Sequence, residues 1–229
     1  MTSLSTPPVS DEIARLFRAA AQAHGRPRHD QPSGDRPRGP HRAPGGPGGP
    51  GGPGPERDSM EFFARAKNAY MAVSPRTGTL LYMLARTRQA RAVVEFGTSF
   101  GISLLHLGAA VKDNGGGAVI GTEFEPGKIE ATRKSVEAAG LADVIEVRAG
   151  DARETLARDL PDQVDLLFLD GAKEMYSQIL ALVEPRLAPG AIVAADNASR
   201  ADGYLEQMRS GGRYLCADVG GDVEISYLA

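Results

Sequence analysis

Five short apolar runs recur along this chain after residue 90, separated from one another by stretches of helical spacing, and that alternation constrains the fold more than any other feature. The runs are 92–96, 117–122, 143–148, 164–169 and 190–195, with helices predicted near 101–112, 126–139, 151–158 and 173–187. Leu166-Leu167-Phe168-Leu169 is apolar without alternation, as a strand covered on both faces must be. Strand and helix in repetition build a parallel sheet with helices on either side. Residues 213–218 and 222–228, parted by Gly220-Gly221, predict a closing hairpin. The expected fold is α/β: a doubly wound, mostly parallel seven-stranded sheet with an antiparallel C-terminal hairpin.

Upstream, helices are predicted over 58–72 and 77–88, with Phe62, Phe63, Ala66, Leu80, Leu81 and Leu84 on their apolar faces. Before them the composition changes abruptly. Gly, Pro, Arg and His dominate from Gly25 to Pro55, ending in Gly-Gly-Pro triplets too few for a collagen-like helix. Such a stretch cannot support a packed core and is expected to be a disordered linker. Residues 10–24 open with Ser10-Asp11-Glu12, a cap, and carry Ile13, Leu16, Phe17 and Ala20 at helical spacing. One stripe that short needs something to dock on. The expected organisation is a helical arm (1–24), a linker (25–57) and one folded domain (58–229).

The 229 residues are 41% hydrophobic, enough for a sizeable core, and carry a net charge of −3, which argues against a partner made of nucleic acid or anionic membrane. No apolar run approaches a membrane span and no signal-peptide core is present. The single Cys216 suits a reducing compartment and reads as a small, partly buried residue rather than a nucleophile. The expectation is a soluble cytoplasmic protein.

In sheets of this kind ligands sit beyond the carboxyl ends of the strands, and those ends are rich in polar groups. The first ends in Glu95-Phe96-Gly97-Thr98-Ser99-Phe100-Gly101, an acid and a glycine turn opening a helix that begins near Ser103. Such a turn exposes backbone amides to a ligand. Its Glu-x-Gly-x-x-x-Gly spacing differs from the Gly-x-Gly-x-x-Gly of dinucleotide folds. The second strand ends at Glu123, an acid placed to accept both hydroxyls of a ribose. The third leads to Gly150-Asp151-Ala152, suited to an adenine edge; the fourth and fifth end in Asp170-Gly171-Ala172-Lys173 and Asp196-Asn197. Two acids and an amide on adjacent ends suit a hard cation such as Mg²⁺. Each group also has a plain structural reading. Glu123, Asp151 and Asp170 can cap helices, Asp196-Asn197 can be a turn, Lys173 can be solvated, and Ser103 and His106 can serve packing. Their coincidence on one rim favours a site.

Taken in order, Ser74-Pro75-Arg76-Thr77-Gly78, Val94-Glu95-Phe96-Gly97-Thr98-Ser99, Glu123-Phe124-Glu125-Pro126, Leu169-Asp170-Gly171-Ala172-Lys173 and Ala195-Asp196-Asn197 resemble the metal-dependent O-methyltransferases that include the catechol and caffeoyl-coenzyme A enzymes, a class I S-adenosylmethionine-dependent family. The resemblance spans about residues 60–229. It implies a cofactor site of Met71, Val73, Glu95, Gly97, Thr98, Ser99, Ser103, Glu123, Asp151, Ala152 and Asp170. It also implies a divalent cation on Asp170, Asp196 and Asn197, Lys173 as general base with Asp170 beside it, a small phenolic or specialised-metabolite acceptor, and a homodimer. Two departures stand out. Animal catechol enzymes carry a His-Trp pair where this chain has Gly171-Ala172, and Glu224 matches an acceptor-orienting acid by location only, a structural role at a strand end being the preferred reading. The same fold would also accommodate methyl transfer to nitrogen, transfer without a metal, or cofactor binding without catalysis.

Overall fold

A computed structural model describes residues 2–25 and 70–229. The predicted linker beyond Gly25 and the helix expected over 58–72 lie outside the described residues, save that 70–72 are not helical. Helix α1 (Val9–Gly25) is followed by α2 (Pro75–Thr87), and then strand and helix alternate: β1 (Ala92–Phe96), α3 (Ile102–Asp113), β2 (Ala118–Glu123), α4 (Pro126–Ala138), β3 (Ile145–Ala149), α5 (Ala152–Thr155), β4 (Val164–Leu169), α6 (Tyr176–Val183), β5 (Leu187–Asp196), α7 (Tyr204–Ser210), β6 (Tyr214–Asp218) and β7 (Val223–Leu228).

The sheet has seven strands in the order β3-β2-β1-β4-β5-β7-β6. The first five are parallel, and β7 runs against both β5 and β6. The doubly wound, mostly parallel α/β sheet with its closing hairpin is the fold anticipated from the alternation. Successive strand residues face opposite layers. Val93, Leu166 and Phe168 join one core with α1 to α4, while Val94, Leu167 and Leu169 join the other with α6 and α7. Chain order reverses between β1 and β4, so the crevice at their carboxyl ends is the topological switch point.

Three local features depart from the expected elements. The helix predicted over 151–158 closes after Thr155 because Arg148 donates to the carbonyls of Thr155, Arg158 and Asp159 at 2.8 to 2.9 Å, satisfying groups that helix propagation would need. The element predicted over 173–187 divides into a 3₁₀ turn, α6 and a second 3₁₀ turn at Pro185. Helix α7 has no counterpart in the expectation. It buries little more than Tyr204 and Met208, too short a stripe to stand out as a pattern.

Helix α1 finds its docking surface on its own chain. Val9, Ile13 and Leu16 enter the core, Phe17 meets His106 edge-on at 6.3 Å, and Ser3 is held to the last residue of α3. There Asp113 accepts from the Ser3 amide (2.9 Å) and the Tyr82 hydroxyl (2.6 Å), with Arg86 at 3.3 Å. Removing this acceptor leaves part-buried donors unpaired, a loss of about 1–3 kcal/mol. Asp113→Ala should therefore lower the urea midpoint of unfolding and speed protease cleavage near residues 2–8.

Candidate active site

The turn after β1 is tight because two glycines meet. Gly97 has φ +92°, and a Cβ there would lie 2.6 Å from the Cα of Gly171. A Cβ on Gly171 would in turn lie 2.4 Å from the Phe96 ring. The ends of β1 and β4 therefore approach closely, and there is no room for a side chain in place of Gly171. The amides of this turn are less free than expected. Gly97 and Thr98 donate to the Thr122 carbonyl (3.2 and 3.0 Å), and Ser99 donates to Glu123 (2.9 Å).

Two clefts share this rim. One, of about 720 Å³ and open to solvent, is lined by Met71, Gly97, Ser99, Glu123, Asp151, Ala152 and Asp170, together with Phe96, Phe124, Lys128 and Met175. The other, sharing Met71, Gly97, Ser99 and Asp170, is lined also by Val73, Thr98 and Ser103. Every residue anticipated for the cofactor lines one of them except Glu95, which is fully buried beside them. Neither Glu95 oxygen has a hydrogen-bond partner among the described residues, and the hydroxyls of Thr98 and Ser99 are likewise buried and unpaired. Burial pushes the Glu95 carboxyl up to about 8, with Ser103 offsetting this and the nearby Asp170 and Glu123 charges adding to it.

Glu123 is partly spent. One of its oxygens accepts from the amides of Phe124 and Glu125 (2.9 and 3.0 Å), the other from Ser99. A carboxylate offers about four acceptor positions, so these three contacts leave one for a ligand. Burial still raises its pKa, against the pull of those amides and of Lys128. Asp151 both lines the cleft and caps α5, accepting from the Arg153 amide (2.8 Å) and guanidinium (2.6 Å).

At the ends of β4 and β5, Asp170 and Asp196 bring their carboxyl groups within hydrogen-bonding reach of each other, and burial raises both, opposed by Lys173. Lys173 Nζ donates to Asp170 at 3.1 Å and to the Tyr176 hydroxyl at 2.7 Å. Asp196 and Asn197 line a third cleft, together with Ser74, Arg76, Thr77 and Met83 among others. Asn197 holds the left-handed conformation at φ 50°. Among the described residues no group of three or more His, Cys, Asp or Glu forms a metal cage. The donor set here is two acids and an amide.

Two residues of the site went unread in the sequence. Lys128, on α4, is 2% exposed and lines the first cleft, its ammonium 5.7 Å from the Phe100 ring centre and pushed down by burial. Phe100 itself stacks on Tyr70 at 4.0 Å. The second is Tyr176, which follows Lys173 at the same three-residue interval that separates Lys173 from Asp170. Other expectations hold. His106 packs with its ring bonded to the Ile102 carbonyl (2.7 Å), and Glu224 is structural, clamped by Arg209 at 2.7 to 2.8 Å. Cys216 is partly buried on β6. No helix among the described residues is long and apolar enough to cross a membrane.

Strand order and the clefts at the switch point define a class I methyltransferase fold. A methyltransferase-domain profile matches residues 94–198. An O-methyltransferase from Bacillus cereus, solved in complex with SAH, superposes with a TM-score of 0.65 at 22% identity, covering 76% of this chain and 90% of that one. A protein of Mycobacterium sp. (strain JLS) named as an O-methyltransferase is 31% identical over 156 residues, 64% of this chain and 70% of its own length. A catechol O-methyltransferase of Mycobacterium tuberculosis is 34% identical over 137 residues, 60% of this chain and 61% of its own. The chain belongs to the S-adenosylmethionine-dependent O-methyltransferase family. It spans about three fifths to two thirds of the length of the catechol O-methyltransferases it matches.

Glu95 has a pH signature. Its folded pKa of about 8 exceeds the ordinary 4.5, so the folded protein holds a proton that the unfolded chain releases. Stability of the ligand-free protein is fully present below the ordinary value and falls as pH rises through that window. Scanning calorimetry from pH 5 to pH 8, in steps of about one unit, should show Tm declining, and more shallowly in Glu95→Gln. An equal slope in both proteins would remove Glu95 as its source.

Proposed function

We propose that this chain transfers a methyl group from S-adenosylmethionine to a hydroxyl of a small acceptor, with a divalent cation assisting. The observation that carries the reading is the cluster of Asp170, Lys173 and Asp196 at the edge of the cleft that suits the cofactor.

Glu95 supports the cofactor half of the reading. A buried carboxyl with two unpaired oxygens calls for a cation with N–H donors, and the ammonium of a methionine group supplies one. Ser103, Thr98 and Ser99 add hydroxyls, Val73 lines the same cleft, and the remaining acceptor position of Glu123 serves a ribose hydroxyl. Met71, Ala152, Phe124 and Met175 supply apolar contact for the rest of the cofactor, and Asp151 holds Arg153 beside it. The sulfonium supplies an already activated methyl, so the protein must chiefly align and deprotonate an oxygen.

Asp170, Asp196 and Asn197 would hold the cation. Oxygen donors fit a hard ion, and one would ease two neighbouring acids whose charged forms burial disfavours. A divalent ion bound there supplies charge that makes an acceptor hydroxyl a stronger acid. Lys173 then takes the proton, held between Asp170 and Tyr176. The acceptor class that suits these residues carries vicinal oxygens, as a catechol does. The family also makes a cytoplasmic homodimer the working expectation, for which sedimentation of the full chain is the direct test.

Methyl transfer from labelled S-adenosylmethionine to a catechol panel tests the reading, with Mg²⁺ and with chelator. Lys173→Met should lower kcat by about 10²–10⁴-fold. Asp196→Ala should lower turnover severely while leaving affinity for S-adenosylhomocysteine nearly unchanged. Equal turnover in chelator would remove the metal from the mechanism, and full activity in Lys173→Met would remove the base.

A further inference from the structure

Tyr176 is completely buried, yet its hydroxyl occupies the point where β4 and β5 deliver their acids. It lies 2.8 Å from the Leu169 carbonyl and 2.8 Å from the Asp196 carbonyl, while Lys173 donates to it at 2.7 Å. A tyrosine hydroxyl has one proton and two lone pairs. That proton is committed to the two backbone carbonyls, so the hydroxyl oxygen meets Lys173 only as an acceptor. The ring is fixed as well, edge-on to Phe96 at 6.4 Å and to Tyr204 at 5.5 Å.

We infer that Tyr176 is a positioning residue for the methyl-transfer step, aiming Lys173 by fixing one of its N–H groups while Asp170 fixes a second. An amine nitrogen has four tetrahedral directions, one of them the bond to its own side chain. With two held by Asp170 and Tyr176, one is left, and no described residue takes it. That direction is the one through which Lys173 can meet an acceptor. Replacing the hydroxyl frees the amine to rotate, and it also unties the ends of β4 and β5 at Leu169 and Asp196. The inference rests on the reading of Lys173 as the base.

Tyr176→Phe keeps the ring and removes the hydroxyl. In the transfer assay it should lower kcat about 10- to 100-fold, with the KM for S-adenosylmethionine and the affinity for S-adenosylhomocysteine unchanged. The double variant Lys173→Met/Tyr176→Phe should be slower than Lys173→Met by far less than the loss that Tyr176→Phe causes alone, because Tyr176 acts mainly through Lys173. Fully additive losses, or a Tyr176→Phe enzyme with wild-type kcat, would overturn the inference while leaving Lys173 as base. Full activity in Lys173→Met would instead remove the reading beneath it. A crystal structure of the wild-type protein with S-adenosylhomocysteine supplies a test independent of variants. Lys173 Nζ within hydrogen-bonding distance of the Tyr176 hydroxyl supports the inference, and its departure from that hydroxyl overturns it.

Discussion

Burying carboxyl groups at the switch point is the constraint on which the rest of this structure depends. Glu95 sits at the end of β1, Asp170 just past β4 and Asp196 at the end of β5, so adjoining strands aim like charges at one rim. Desolvation disfavours each charge, Asp170 and Glu123 push Glu95 up further, and Asp196 does the same to Asp170. A fold gains nothing in stability from such an arrangement. On the function proposed above, an ammonium at Glu95 and a metal ion at the aspartates would offset it, with Lys173 as the protein's own partial answer.

The same constraint explains why the backbone is so closely fitted around the rim. Gly97 and Gly171 abut, with Phe96 covering Gly171, so that β1 and β4 can end within reach of one ligand. Backbone amides that a glycine turn would otherwise offer are used internally, at Thr122 and Glu123, to hold that turn in place. The amides of Gly97, Thr98 and Ser99 are thus already spoken for within the turn. At the far side of the rim, the Tyr176 hydroxyl ties together the strand ends that carry the two aspartates.

Much of this was legible in the residues. Unbroken apolar runs such as 166–169 are incompatible with a half-exposed strand, and acids directly after such runs can only lie at strand ends, which is why Glu95, Glu123, Asp170 and Asp196 were found. Lys128 and Tyr176 were not. A lysine on the first turn of a helix ordinarily reads as solvated, and a tyrosine opening an apolar helix reads as packing. Only the approach of Phe100 to Lys128, and of Leu169 and Asp196 to Tyr176, places those side chains at the rim. Helix α5 was overestimated for a related reason: the guanidinium that ends it comes from Arg148, on the strand before it.

By itself, then, the sequence determined the alternation of strand and helix, the sheet class, the rim and the acids standing on it, since each depends on local apolar patterning and residue type. The tertiary structure alone decided how many lone pairs of Glu123 remain free, that Glu95 is buried without a partner, that the arm packs on α3 and α4, and that one hydroxyl joins Lys173 to two strand ends. Those are properties of distance and desolvation between residues far apart in the chain, and no local pattern encodes them.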